Sequence, residues 1–205
     1  MKAEGRFALV LAAGAARRFG GGKLTADWKG EPLILSAVRA ALASEVEAVF
    51  VVLGAEAQVV EASLEAIDDV RLKRIYAADW DLGQSASLAA GLSALPDRAR
   101  CVVVFLGDMP LVGSKTANQV LAALEAGALA ARPQTPNGPG HPVAFSHLLF
   151  ERLKIQTGDQ GARNLLTELK EAVVLIATSE PGDAFDVDRV EDLQVSSDDR
   201  DEAVT

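Results

Sequence analysis

Short apolar runs alternate along this chain with stretches in which apolar residues recur every three or four positions. Ala8 to Leu11 is an uninterrupted apolar run that fits a buried strand, and Ala48 to Leu53 and Val102 to Leu106 read the same way. Lys73 to Tyr76 predicts a shorter strand. Between these runs, Leu33, Ala37, Val38, Ala41 and Leu42 recur at helical spacing, and Glu56 to Ala66, Ser85 to Leu95 and Ser114 to Glu125 predict further helices. Strand alternating with helix predicts a largely parallel, three-layer α/β/α fold with right-handed crossovers. Ligands of such sheets bind beyond the carboxyl ends of the strands, which is where Gly14 to Lys23, Gly54 and Gly107-Asp108 fall.

The rhythm changes at Arg132. From there to Gly140 the chain reads as a turn-rich excursion, and His141 to Ser146 as a strand running antiparallel at the sheet edge. Leu148 to Leu153 and Gly161 to Leu169 predict two helices, Ala172 to Ile176 a further strand, and Val190 to Val195 a terminal helical turn. No repeat or long linker divides the chain, so residues 1–195 read as one domain, and residues 196–205 as a tail too polar to pack.

Composition narrows the chemistry. The 205 residues are 49% hydrophobic and 24% charged, ordinary values for a soluble globular protein. No stretch reaches about 18 uninterrupted apolar residues, and the start, MKAEGRF, lacks the apolar core of a secretory signal, so the expectation is a cytoplasmic protein with no membrane partner. A net charge of -9 argues against nucleic acid as a partner, because such binding draws on excess Lys and Arg. The single cysteine, Cys101, opens an apolar run and reads as a buried structural thiol.

Against this acidic background, Arg17, Arg18 and Lys23 cluster in a loop with Gly14, Gly20, Gly21 and Gly22, directly after the first strand. Glycines let the backbone approach a ligand, and amides flanked by cations make a nest for phosphates. It is not a P-loop, since Leu24 follows Lys23 and Arg17 stands where the leading glycine belongs. Nor is it a dinucleotide fingerprint, because Ala16 replaces the second glycine and no ribose-binding acid follows Leu53-Gly54.

Asp108 leaves the strand ending at Leu106, so its carboxylate either holds Mg²⁺ or caps a turn. Asp186 and Asp188 share a face of an extended segment, where two carboxylates call for a cation; alternatively Asp188 caps a helix from Arg189, with Glu191 completing a capping box. Gly83, Ser85 and Ser87 place small side chains at a helix start, with Ser85 as its N-cap or as part of a surface for a base or ribose. His141 sits in a turn, and His147 is given no role. Zinc spacing and a nucleophile elbow are both missing from the sequence.

Taken in order, these motifs resemble the molybdenum cofactor cytidylyltransferases and the wider group of MobA-like nucleotidyltransferases. Leu11-Ala12-Ala13-Gly14 followed by Arg18, Gly20 and Lys23 matches the triphosphate loop; Gly107, Asp108 and Pro110 match the GD-x-P metal motif; Asp186, Asp188, Glu191, Asp192 and Leu193 match the second acidic segment. The resemblance implies a Rossmann-like nucleotidyltransferase sheet, with catalytic roles for Arg18, Lys23 and Asp108. It implies nucleotide contacts at Leu11 to Gly14, Gly54, Gly83 and Ser85, and Mg²⁺ on Asp108 with Asp186 or Asp188. Acceptor contacts fall at Ser87, His141, Asp159 and Arg163. Ala13 resembles the cytidine-using branch, which implies CTP as donor, a molybdopterin-type acceptor and a molybdoenzyme as recipient. A sugar-phosphate nucleotidyltransferase and a non-catalytic cofactor carrier are the alternatives.

Overall fold

The computed structural model describes residues 4–194, so Val195 and the polar tail at 196–205 lie outside the described residues. In chain order the strands are β1 (Arg6–Ala12), β2 (Asp27–Trp28), β3 (Glu31–Pro32), β4 (Ala48–Leu53), β5 (Leu72–Tyr76), β6 (Cys101–Leu106), β7 (Ala130–Thr135), β8 (Gly138–Pro139), β9 (Val143–Ser146) and β10 (Val173–Ala177). The helices are α1 (Ile34–Leu42), α2 (Ala57–Leu64), α3 (Gln84–Ser93), α4 (Ser114–Glu125), α5 (Phe150–Lys154) and α6 (Arg163–Leu169). The main sheet runs β10-β7-β9-β6-β1-β4-β5, with β8 paired to β7, while β2 and β3 form a separate ribbon.

β1 lies between β4 and β6 and is parallel to both, so the strand order reverses around it and a crevice opens at its carboxyl end. Period-two alternation sorts its side chains onto the two faces of the sheet. Ala8 and Val10 enter a core with Val38 of α1, Leu64 of α2 and Leu121 of α4, and Phe7 and Leu9 enter another with Leu88 of α3, Leu153 of α5 and Leu165 of α6. Each large apolar side chain buried in these layers contributes roughly 1.5–3 kcal/mol. The result is the mixed, mostly parallel sheet between helical layers that the patterning predicts. Cys101 is buried, and its surroundings push the thiol up from its usual range, as expected of a structural cysteine. Among the described residues, no helix is long and apolar enough to cross a membrane.

Two expectations change in the second half. The excursion from Arg132 begins as a strand: β7 carries Arg132, Pro133, Gln134 and Thr135, and turns back through β8. Pro133 is tolerated there because its carbonyl accepts the Gly140 N–H at 2.9 Å and its ring lies past the last β9 pairing, Ala131 with Ala144. β9 is antiparallel, as expected, but it is inserted between β6 and β7 and is not an edge. The edge on this side is β10, paired in parallel with β7, and β5 is the edge on the other.

Candidate active site

The Gly-rich loop leaves β1 at its carboxyl end. The N–H groups of Phe19, Gly20 and Gly21 all converge on the Ala16 carbonyl, and Gly20, Gly21 and Gly22 have φ of 93°, 91° and 68°, conformations that side chains resist. The Gly22 N–H donates to Glu56 Oε1 at 2.7 Å, which ties the loop to the exit of β4. A single turn at Lys23–Thr25 then sends the Lys23 side chain inward, where it is buried. Its Nζ stands 2.7 Å from Asp108 Oδ2 and 3.8 Å from Asp188 Oδ1.

Asp108 reaches this point from β6. The Gly107 N–H donates to the Leu11 carbonyl at 3.0 Å, continuing the β1–β6 pairing one residue past the strands. The Asp108 carbonyl accepts the Val187 N–H at 3.0 Å, and that bond brings the second acidic segment alongside. Asp186 is held above the usual carboxylate range, first by burial and then by the negative charges of Asp188 and Asp108. Lys23 offsets part of this repulsion. The expected capping by Asp188 is not what forms: Asp192 Oδ2 accepts both the Asp188 and Arg189 N–H groups, at 2.8 and 2.7 Å.

A cavity of about 370 Å³ opens over Lys23 and Asp108, while Asp186 and Asp188 lie outside its lining. Leu11, Ala12, Ala13 and Gly14 form its floor with Leu106, and Arg17, Lys23 and Asp108 line it on the loop side. Trp80, Gly83, Gln84, Ser87 and Asp159 form the facing wall. Arg17 lines the cavity, whereas the exposed Arg18 lies outside the lining. Neither arginine forms an ion pair among the described residues.

Other predicted residues shape the site from behind. Gly54 backs the loop, since a Cβ there would lie 2.6 Å from the Ala13 carbonyl oxygen and 2.7 Å from Trp80 Cβ. Ser85 is not an N-cap: α3 starts one residue earlier, and the buried Ser85 donates from Oγ to the Gly161 carbonyl at 3.3 Å and from N–H to the Gly158 carbonyl at 3.1 Å. These bonds carry Asp159 to the rim.

His141 and Arg163 are not in the cavity lining but belong to a neighbouring cationic group. The His141 residue keeps a partly exposed edge, yet its Nδ1 is buried without a partner. Burial, then the charge of Arg132, lower its pKa to about 4, so the imidazole is neutral at physiological pH. Arg132 donates to the Pro139 and Gly140 carbonyls, each at 3.0 Å, and its own pKa is lowered by burial and by Arg163.

Asp108, Asp186 and Asp188 supply the hard oxygen donors that Mg²⁺ or Mn²⁺ prefers, and their mutual repulsion is the electrostatic condition a divalent cation relieves. Among the described residues no group of three acidic, histidine or cysteine side chains is placed to hold a metal ion by itself. Sequence reasoning missed Glu56, although the strand-exit rule that found Asp108 applies equally two residues past Gly54. It also missed Arg132, hidden in a segment read as turn-rich, and Asp183, in a stretch between the last strand and the acidic segment to which it assigned no element.

Comparison with known proteins gives one consistent outcome. The model of the MobA-like NTP transferase domain matches residues 8–173. The chain is 30% identical over 193 residues to nicotine blue oxidoreductase of Paenarthrobacter nicotinovorans, covering 90% of this chain and 93% of that protein. It is 31% identical over 201 residues to the purine catabolism protein PucB of Bacillus subtilis (strain 168), covering 91% and 93%. Among solved structures, the Mycobacterium tuberculosis Rv0371c homologue from Mycobacterium sp. strain JC1 superposes with a TM-score of 0.79 at 29% identity, over 93% of each chain. The manganese complex of Rv0371c from Mycobacterium tuberculosis H37Rv superposes at 0.76 with 25% identity, over 91% of this chain and 95% of that one.

Proposed function

The chain belongs to the MobA-like NTP transferase family, and from that premise we propose that it transfers CMP from CTP to the phosphate of a molybdopterin-type acceptor, releasing pyrophosphate. The observation that carries this reading is the buried Lys23 ammonium set between Asp108 and Asp188, with Lys23 and Asp108 lining the crevice at the carboxyl ends of β1 and β6. A carrier that only held a pterin would have no use for a buried lysine set between two acids beneath a glycine-rich loop. We read residues 1–195 as a single domain built around this site.

In the proposed reaction an oxygen of the acceptor phosphate forms a bond to the α-phosphorus, and the bond from that phosphorus to the β-phosphate oxygen breaks with its electron pair leaving on pyrophosphate. The acceptor oxygen is already anionic, so no serine, cysteine or histidine nucleophile is required, and positioning with charge stabilisation carries the catalysis. The Lys23 ammonium faces the developing charge, with Arg18 and the cavity-lining Arg17 at the mouth of the loop. Leu11 to Gly14 and Gly83 enclose the nucleotide, and Gly54 and Ser85 hold those walls in place. Ser87, His141, Asp159 and Arg163 serve the acceptor. Asp108 with Asp186 or Asp188 would hold a divalent cation, Mg²⁺ in the cell, which supplies Lewis-acid neutralisation of the phosphates when bound. The manganese complex of a solved relative supports a divalent cation as the metal this chain uses.

The test is pyrophosphate release from CTP, GTP, UTP and ATP in turn, with Mg²⁺ and molybdopterin. Release with CTP alone, lost by about 10²-fold or more in Asp108→Ala, is the expected result. Release only with sugar phosphates moves the chain to the sugar-phosphate branch. The similarity to a protein named nicotine blue oxidoreductase supports a second reading, an oxidoreductase activity. The missing dinucleotide fingerprint counts against a nicotinamide-dependent form of it, and pyrophosphate release with any of the four triphosphates would set it aside.

A further inference from the structure

Asp183 is a fully buried carboxylate that the proposed chemistry does not use. It sits in the turn Pro181–Ala184, between β10 and the acidic segment, with Oδ2 accepting from Thr116 Oγ1 of α4 at 2.9 Å and from Thr178 Oγ1 at 3.2 Å. Its Oδ1 is buried without a partner. Its backbone carbonyl accepts the His141 N–H at 2.7 Å. The contact is tight enough to require glycine at 140, because a Cβ there would collide with the Asp183 carbonyl group. Four residues on, the Val187 N–H donates to the Asp108 carbonyl, and Val187 is fully buried with Trp28 and Leu33.

Burying a carboxylate on two hydroxyls is costly, and a turn that only needed to close would be served by an apolar side chain. Here the carboxylate joins α4 to the segment just past β10, and the backbone carbonyl of the same residue holds the loop of His141. Asp186 and Asp188 hang on the stretch between its two attachment points, Asp183 and Val187, or just beyond them.

The geometry points to Asp183 as a positioning residue that sets the acidic segment and the His141 segment in one register, so that the metal side and the acceptor side of the crevice are placed together. This rests on the reading of Asp186 and Asp188 as metal-side acids and of His141 as an acceptor-side residue. Asp183 touches neither substrate. It acts through the His141 N–H on one side and the path to Val187 on the other.

The experiment is hydrogen exchange of the whole protein, read on peptides spanning 137–146 and 183–190, together with Mn²⁺ titrated alone. Asp183→Ala is expected to speed exchange in both peptides by about 10-fold while the β1 and β4 peptides stay unchanged. It is also expected to weaken Mn²⁺ binding by about 10-fold, with Asp183→Asn restoring most of both. Asp183→Ala that folds and leaves the 137–146 peptide at parental exchange overturns the inference. Should that variant fail to fold, Thr178→Val decides: faster exchange in both peptides supports the coupling, and in neither peptide overturns it. A parent protein that binds no Mn²⁺ yet shows the coupled exchange sinks the metal-site reading while the mechanical link stands.

Discussion

On the β1–β6 side of the crevice the buried Lys23 is met by Asp108 at 2.7 Å and Asp188 at 3.8 Å, whereas on the β7–β9 side Arg132 and Arg163 lie near a buried imidazole held neutral. In the first region positive and negative side chains are matched before any ligand arrives, with a surplus of acid. In the second, Arg132 is held by backbone carbonyls, and its close electrostatic neighbour is another cation. The difference teaches what each half lacks: the first is short of positive charge, as a cation-binding site should be, and the second is short of negative charge. A nucleotide entering with a divalent ion and an anionic acceptor would correct both. Each prediction below strikes at one side and should leave the other intact.

The largest effect is expected at Lys23. Lys23→Met leaves Asp108, Asp186 and Asp188 to repel one another without the ammonium and removes charge stabilisation at the proposed leaving group. Pyrophosphate release should fall by about 10²-fold or more in kcat, with acceptor KM little changed. Turnover within a few-fold of the parent would mean that the charge-matched half is structural, and the contrast between the two regions would lose its functional meaning.

The same contrast explains what the sequence made legible. Around β1 and β6 the site is made of contiguous residues at strand exits, so Gly14 to Lys23 and Gly107-Asp108 could be placed from local pattern, with Leu11 to Ala13 added by the family resemblance. Around β7 and β9 the site depends on pairings between distant segments. Arg132-Pro133 has the composition of a turn, and it becomes a strand because β10 pairs alongside it. Ser85 has the composition of an N-cap, and it is diverted to the Gly161 carbonyl 76 residues away. Arg17 and Arg18 are chemically identical neighbours, and only the path of the loop selects which one faces the cavity. Asp192 rather than Asp188 makes the cap because the segment is anchored by Val187 on Asp108, a contact no local motif encodes.

The second prediction uses proton linkage on the cationic side. The folded chain holds His141 at about 4 against an ordinary value of 6.5, so between those values the unfolded chain binds the proton more readily. Stability should therefore be level above about pH 6.5, fall as the pH drops from 6.5 to 4, and level again below that, with His141 contributing a loss of about 3 kcal/mol. Urea unfolding at pH 7.5 and 4.5, compared between the parent and His141→Gln, isolates this contribution from the carboxylates common to both. Parallel losses in the two proteins would show that His141 is not held neutral, and the charge asymmetry of the crevice would shrink accordingly.

The smallest effect is expected at Arg163, and it is the one that best separates the two halves. Arg132 is a poor choice for this purpose, because its bonds to the Pro139 and Gly140 carbonyls secure the β7–β8 hairpin and its loss would disturb the fold. Arg163 is exposed and forms no ion pair among the described residues, so its removal changes charge with little structural cost. An exposed cation acting on an anionic acceptor is screened by salt and contributes modestly. Arg163→Met should raise the acceptor KM by about 10-fold, equivalent to about 1.4 kcal/mol, at low ionic strength. The gap should narrow as salt is added, while the CTP KM stays within about twofold, because the proposed nucleotide site is on the other side of the crevice. A rise in the CTP KM instead would place Arg163 on the triphosphate, and the division of the crevice between β1–β6 and β7–β9 would have to be redrawn.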